Sequence, residues 1–126
     1  MSKKIISTSQ APKAIGPYSQ AVSIGSLLYT SGQLGINPEN GTLQEGVLAQ
    51  TNQAMENLGA ILREANLDFS SIIKTTIFVK DMADFATVNG AYQSYFTSDY
   101  PARSCVQVAA LPLNGLVEIE AIALIK

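Results

Sequence analysis

The amino-acid sequence predicts an α+β fold in which two helices cover one face of a mixed sheet. Three observations support this fold: short strand-like runs in the first third, two later segments with helical spacing of apolar residues, and strand-like runs between and after them. In chain order the elements are strand, strand, strand, helix, strand, helix, strand and strand.

The first third of the chain reads as short strands joined by hairpins. Residues 5–6 form a short apolar start, and residues 27–31 are a compact run of strand formers that ends at Gly32. Residues 37–41 have the sequence Asn-Pro-Glu-Asn-Gly, and Asn-Gly readily adopts positive φ. We therefore expect a hairpin turn between Ile36 and Leu43.

Two later segments have the apolar spacing of a helix. The first spans residues 47–65 and is expected to stop at Asn66, whereas the second begins after the capping residue Asp81 and cannot continue past Pro101. The first stripe consists of Val47, Met55, Leu58, Ile61, Leu62 and Ala65, and the second of Met82, Phe85, Val88, Tyr92, Tyr95 and Phe96. We interpret both stripes as core packing.

Three strands are predicted in the second half of the chain. Residues 72–80 read as a central strand with Thr75, Ile77 and Val79 on one side. The other two strands span residues 103–109 and 117–124, on either side of a Leu-Pro-Leu-Asn-Gly connection. Because apolar side chains point to both sides of several strands, we expect a second protomer to cover the sheet face that the helices leave open.

Length and composition predict a single domain, residues 1–126, within an oligomer. Charged residues make up 14% of the chain, whereas average globular chains contain about 25%. A small domain with so few charges leaves much of its surface weakly polar or buries it, and charged residues are depleted from interface cores. A poorly charged monomer is the alternative.

The composition also excludes several classes of function. A net charge of −2 and a pI of about 4.9 argue against nucleic acid as the principal partner. The absence of histidine excludes Ser-His-Asp and Cys-His nucleophiles and histidine-based metal sites, and the single Cys105 is too little for thiolate ligation of zinc. No apolar run approaches about 18 residues and the N-terminus lacks a signal-peptide core, so we expect a cytoplasmic protein without membrane contact.

Arg103, Glu118 and Glu120 are the first candidates for chemistry. Arg103 opens a largely apolar strand, and its planar guanidinium suits a carboxylate, although a surface or ion-paired arginine is the more common explanation. Glu118 and Glu120 alternate with apolar residues, so both carboxylates leave the same face of the last strand. A solvated sheet face or a structural salt bridge is the more common explanation for that spacing.

Five further residues are weaker candidates. Tyr18 lies in a turn-rich segment, where its phenol either reaches a ligand or a neighbouring subunit or simply packs. A predicted strand ends at Ser31, which carries a hydroxyl group, and at Gly32, which permits another group to approach the backbone closely. Asn89 in the apolar second helix needs a structural partner or a ligand. Cys105 has no histidine to activate it, which favours a packed thiol over a nucleophile.

Five sequence blocks carry a resemblance to a known family. They are GPYSQ at residues 16–20, YTSGQ at 29–33, KTTIFVKD at 74–81, PARSCV at 101–106 and VEIEA at 117–121. Together they resemble the RidA/YjgF family of reactive-intermediate (enamine/imine) deaminases, essentially from end to end of the chain. The PARSCV and EIEA blocks are highly specific for it.

The resemblance implies a homotrimer with a chorismate-mutase-like fold, in which the sheets form an inner barrel, the helices lie outside and ligand clefts lie between protomers. It implies that Arg103 clamps the substrate carboxylate, that Glu118 positions or activates water, and that Cys105 contributes mainly through its backbone. The other matching cleft positions are Tyr18, Ser31, Gly32 and Asn89.

The implied activity is the hydrolysis of 2-iminobutanoate, 2-iminopropanoate and their enamines, which PLP enzymes release, to 2-keto acids and ammonia. This reaction needs no metal or organic cofactor. Two other functions stay open at this point. The chain could be a non-catalytic module that binds small carboxylates, or an endoribonuclease or translation inhibitor, which the acidic pI and the absence of histidine disfavour.

Overall fold

The computed structural model describes residues 2–126, so Met1, the first residue of the predicted domain, lies outside it. Within this range the strands are β1 Lys4–Ile6, β2 Ala21–Ile24, β3 Leu27–Thr30, β4 Gln33–Leu34, β5 Ile72–Val79, β6 Ala102–Gln107 and β7 Val117–Leu124. The α-helices are α1 Val47–Glu64 and α2 Phe85–Gln93, and short 3-10 segments cover Phe69–Ser71, Met82–Asp84 and Pro112–Asn114. Among the described residues, no helix has the length and apolar character to cross a membrane.

The strands form one mixed sheet, as the sequence predicts. Their order is β1-β2-β3-β7-β5-β6, and β4 also pairs with β7. The β5 and β6 strands run parallel, whereas the other strand pairs are antiparallel. The two helices and this mixed sheet confirm the predicted α+β class.

Both helices pack on the same face of the sheet. Thr75, Ile77 and Val79 of β5 are buried on that face, in agreement with the predicted alternation. The core between helices and sheet includes Ala54, Met55, Leu58, Ile77, Val79, Val88, Tyr92, Val117 and Ile119. Apolar burial of this kind supplies most of the free energy that holds the two layers together.

Helix α1 stops where the sequence predicts, to within one residue. The backbone N–H of Asn66 donates to the Arg63 carbonyl (2.9 Å), and that of Leu67 donates to the Leu62 carbonyl (2.8 Å). Asn66 has a φ of 61°, a left-handed conformation that asparagine tolerates better than most residues. This pair of hydrogen bonds satisfies the last helical carbonyls and ends the helix at Glu64.

The second helix is shorter than predicted. Asp81 acts as a cap, but it caps the 3-10 turn that precedes α2. The helix then ends at Gln93, because the Ser94 hydroxyl donates to the Ala91 carbonyl (2.7 Å) and competes with continued helical hydrogen bonding. Tyr95 and Phe96 therefore lie beyond the helix rather than within it.

Four strand predictions need correction, and the first concerns the two-residue strand β4, which was not predicted. The strand β2 was not predicted, because its buried Ser23 obscures the apolar alternation; Gly25, with a φ of 59°, turns the chain from β2 into β3. The predicted hairpin at residues 36–43 forms a single bridge rather than two strands. The predicted strand 103–109 ends at Gln107, because its partner β5 ends at Val79, directly opposite.

The sheet face away from the helices is uncovered in the single chain. It exposes large apolar side chains, including Tyr29 (44% exposed), Val106 (43%) and Leu124 (46%). Apolar side chains therefore occupy both faces of the sheet, as predicted, and exposed apolar surface of this extent is typical of a contact site for another chain.

Candidate functional site

The predicted site residues, with the exception of Cys105, line two separate cavities. The larger one, of about 800 Å³, includes Tyr18, Ser31, Gly32, Glu118 and Glu120 in its lining, and we call it the Glu118 cavity. The smaller one, of about 440 Å³, is lined by Asn89, Tyr92, Gln93, Tyr100, Pro101 and Arg103, and we call it the Arg103 pocket. In the part of the chain that the structure describes, no three acidic or cysteine side chains cluster as potential metal ligands.

Glu118 and Glu120 project from the same face of β7, as their alternation with buried apolar residues predicts, and this is the uncovered face of the sheet. Both are half-buried in the Glu118 cavity. Burial raises the pKa of Glu118 above its ordinary value, and the nearby negative charge of Glu120 raises it further. A carboxylate with a raised pKa is a better proton acceptor near neutral pH than an ordinary one.

A β-bulge brings the backbone at Gly32 against the Glu118 side chain. The pairing register with β7 slips by one residue between Tyr29 and Gln33, so the intervening residues bulge out of the ladder. A Cβ atom on residue 32 would lie 2.8 Å from Cδ of Glu118. A side chain on residue 32 would therefore displace the Glu118 carboxylate from this position, which agrees with the close backbone approach expected at Gly32.

Ser31 connects this bulge to the loop that carries Tyr18. Its hydroxyl donates to the Ser19 carbonyl (2.5 Å), and its backbone N–H donates to the Gln20 carbonyl (2.9 Å). Tyr18 itself is 49% exposed at the cavity, with its backbone N–H bonded to the Gly16 carbonyl (2.8 Å). Ser31 therefore holds the loop in place, whereas the ring of Tyr18 faces the cavity.

Gln20 anchors the same loop, and the sequence did not single it out. Its buried side chain accepts a hydrogen bond from the Thr8 N–H (2.7 Å) and donates to the carbonyls of Thr8 (3.0 Å) and Pro12 (2.9 Å). These bonds fix the segment that includes Pro12 at the edge of the Glu118 cavity. The only pointer to Gln20 in the sequence is its place in the GPYSQ block.

Arg103 lies on β6 with its side chain on the helix-covered face. Its Nη1 atom donates to Oδ1 of Asn89 (2.5 Å) on α2. Its guanidinium carbon lies 5.3 Å from the centre of the Tyr92 ring and 5.5 Å from that of Phe85. Arg103 is thus a half-buried cation in a pocket, and the partner that Asn89 was predicted to need is this arginine.

The side chains of Arg103 and Glu118 lie on opposite faces of the sheet. Arg103 pairs with Thr75, which is buried beneath the helices, whereas Glu118 pairs with Phe78. Thr75 and Phe78 are separated by an odd number of positions on one strand, so their side chains point to opposite sides. A single chain therefore cannot bring both groups to one small substrate.

The Cys105 side chain lies outside the lining of both cavities. It packs against the core beneath the helices, next to Ile77 in the register. Burial raises the pKa of the thiol, and the opposing effect of Arg103 is smaller. The side chain is therefore protonated at neutral pH, which supports a packed thiol rather than a nucleophile.

Comparison with known proteins gives matches along almost the whole chain. The family model described as endoribonuclease L-PSP matches residues 8–125. A Bos taurus protein named 2-iminobutanoate/2-iminopropanoate deaminase is 53% identical over 122 residues, which cover 96% of this chain and 89% of that protein. A Salmonella typhimurium protein of the same name is 52% identical over 123 residues, covering 95% of this chain and 96% of that protein.

Solved structures agree equally well with this fold. The crystal structure of E. coli TdcF with bound serine has a TM-score of 0.94 and 47% identity, covering 98% of this chain and 99% of that chain. The crystal structure of the E. coli YjgF gene product has a TM-score of 0.94 and 48% identity, with the same coverage of both chains.

Proposed function

The chain belongs to the RidA/YjgF family, whose family model is described as endoribonuclease L-PSP, and on that basis we propose that it is a 2-iminobutanoate/2-iminopropanoate deaminase. In this role it hydrolyses the imine and enamine acids released by PLP enzymes to 2-keto acids and ammonia. Relatives with this name are 53% and 52% identical to the chain over nearly its full length. The single free Cys105 is compatible with the reducing cytoplasm that we propose as the site of the reaction.

The separation of Arg103 from Glu118 is the observation that carries the proposal. Two groups suited to one substrate leave opposite sheet faces, so we place the active site between copies of the chain. One copy supplies the Arg103 pocket and the next supplies the Glu118 cavity, in a homotrimer whose sheets face inward. The exposed apolar sheet face and the charged fraction of only 14% support such an assembly.

In this arrangement Arg103 binds the substrate carboxylate. A guanidinium presents two parallel N–H donors that match the two carboxylate oxygens. Asn89 occupies one nitrogen of the guanidinium, Nη1, and leaves other donors for the substrate. Fixing the carboxylate in this way also fixes the adjacent C2 atom, so that positioning supplies much of the rate advantage.

Glu118 then assists the attack of water on C2. The water oxygen bonds to C2 while Glu118 takes one of its protons, and the electron pair of the C=N bond moves to nitrogen, which receives that proton. The resulting carbinolamine loses ammonia as its hydroxyl proton is transferred to nitrogen and the C=O bond forms. Acid/base assistance of this kind contributes about 10² to 10⁴ in rate.

A coupled assay tests the proposal. A threonine or serine dehydratase generates the imine in the presence of the protein, and keto-acid formation is followed as the imine decays. We expect faster formation of the keto acid than with the dehydratase alone. Unchanged kinetics would remove the deaminase function. Binding of 2-ketobutanoate without turnover of the imine would indicate a carboxylate-binding module instead.

Endoribonuclease activity, which the description of the matching family names, is tested by a separate control. An endoribonuclease would cleave RNA in a way that persists through further purification and disappears in Arg103→Ala protein. We expect any trace of RNA cleavage to be lost on purification, since the chain lacks histidine and has a pI of about 4.9.

A further inference from the structure

One stripe of helix α2 faces the Arg103 guanidinium. Phe85, Asn89 and Tyr92 stand at positions i, i+4 and i+7, which lie on the same side of a helix. Asn89 accepts the hydrogen bond from Arg103, and the two aromatic rings lie 5.5 Å and 5.3 Å from its guanidinium carbon. Both distances fall within the range of a cation–π contact. The helical spacing that predicts core packing therefore also places these three side chains around the Arg103 guanidinium.

Tyr92 is held rigidly in its place. The side chain is 4% exposed, and its Oη atom shares a hydrogen bond of 2.8 Å with Oγ1 of the fully buried Thr75. The ring of Phe96 packs against it with centroids 4.9 Å apart. Burial raises the pKa of Tyr92, so its phenol is neutral over the physiological range. The ring that contacts Arg103 therefore has little freedom to turn.

We propose that Tyr92, together with Phe85, is a positioning residue that holds the Arg103 guanidinium in the orientation that clamps the substrate carboxylate. Its catalytic consequence rests on the deaminase function proposed above. An arginine side chain has many rotamers, and fixing it before the substrate arrives reduces the entropy lost on binding. Neither ring needs to touch the substrate for this effect.

Two substitutions at Tyr92 separate the ring from its hydroxyl group. Tyr92→Leu removes the ring face, whereas Tyr92→Phe keeps the ring and removes the bond to Thr75. The matched control is Tyr95→Phe, because the Tyr95 hydroxyl also bonds within the protein, to Asn52 at 3.2 Å, but the residue lies outside the lining of the Arg103 pocket.

The expected result is a selective change in KM. Tyr92→Leu raises KM about tenfold with a smaller change in kcat, as the loss of a desolvated cation–π contact implies. Tyr92→Phe stays within about threefold of the wild type, because the ring is retained. Tyr95→Phe leaves both constants unchanged.

The mobility of Arg103 gives a readout that does not depend on activity. The chain contains two arginines, Arg63 and Arg103, so a ¹⁵N spectrum of the Nε–H groups has one signal from each. We expect the Nε–H bond of Arg103 to be less mobile than that of the exposed Arg63. This bond should become mobile in Tyr92→Leu but not in Tyr95→Phe. If Tyr92→Leu does not fold, Phe85→Leu removes the other ring and is measured in the same way.

Two results would overturn the inference. One is an unchanged KM together with an unchanged Arg103 signal in Tyr92→Leu, or in Phe85→Leu where that variant replaces it. The other is a loss of kcat alone that Tyr95→Phe shares, since this indicates general destabilisation. An inactive wild-type protein would instead refute the deaminase function. The mobility of the Arg103 Nε–H bond and the affinity for 2-ketobutanoate, measured in the same variants, would still decide whether the rings position Arg103.

Discussion

Arg103 and Glu118 occupy opposite faces of one sheet, because their partners on β5, Thr75 and Phe78, lie an odd number of positions apart. The two groups best suited to the reaction are therefore separated within a chain. Heterologous contacts in a closed ring of identical chains bring two different surfaces of neighbouring copies together. This geometry supports the proposal that the active site forms between copies of the chain.

Removal of the guanidinium should abolish most of the activity. Arg103→Ala is expected to lower kcat/KM about 10²- to 10³-fold, because a charge-assisted bidentate contact to the substrate is lost. Steady-state kinetics in the coupled imine assay measure the effect. Arg63→Ala, at an exposed position in the last turn of α1, is the matched control and should retain wild-type constants. Full activity of Arg103→Ala would refute the clamp.

The charge of Glu120 should set the pH range of the reaction. Because burial and Glu120 raise the pKa of Glu118, Glu120→Gln should lower that pKa, though not to the ordinary value. A base with a lower pKa stays deprotonated to lower pH, so the acidic limb of the kcat/KM profile should move to lower pH. Glu39 and Lys13 also line the cavity and are left unchanged in this comparison. A limb that stays in place, or moves upward, would argue against Glu118 as the base.

The glycine in the β-bulge should be indispensable. Gly32→Ala places a methyl group 2.8 Å from Cδ of Glu118, so the carboxylate must move. Displacement of a catalytic group by about 1 Å lowers rates about 10²-fold. The control is Gly90→Ala in α2, where an added Cβ meets nothing within 4 Å and should stabilise the helix by about 0.5 to 1 kcal/mol. Wild-type kcat in Gly32→Ala protein would contradict this account of the bulge.

The thiol of Cys105 should be dispensable. Cys105→Ala is expected to retain substantial activity, because the side chain packs in the core and its raised pKa keeps it protonated. Alkylation by iodoacetamide at neutral pH should be slower than that of an unperturbed thiol, which mass spectrometry can follow. Loss of activity in a folded Cys105→Ala protein would require a role for the sulfur that the structure does not provide.

The fold was predictable from the sequence where the information is local. The apolar stripe of α1 and the left-handed Asn66 that ends it depend on neighbouring residues alone, and so does the alternation of β7 between buried and half-buried positions. The buried Ser23 in β2 and the hydroxyl of Ser94 after α2 break such patterns. The prediction missed β2 and extended α2 too far for this reason.

The arrangement of the candidate site was less accessible to sequence analysis. The sequence identifies Arg103 and Glu118 as candidates, but their opposite orientations follow from the register of β6 and β7 against β5, which involves residues far apart in the chain. The second role of Tyr92 was hidden as well, since a ring that faces a guanidinium has the same helical spacing as one that faces the core.

A complementation experiment tests the shared active site most directly. Arg103→Ala and Glu118→Gln proteins, each inactive alone, are unfolded together in equal amounts and refolded, so that mixed assemblies form. If each site takes its arginine from one copy and its glutamate from the next, about one quarter of the wild-type activity returns, because random mixing pairs two intact groups in that fraction of sites. A refolded mixture no more active than the two separate variants would contradict a site shared between copies.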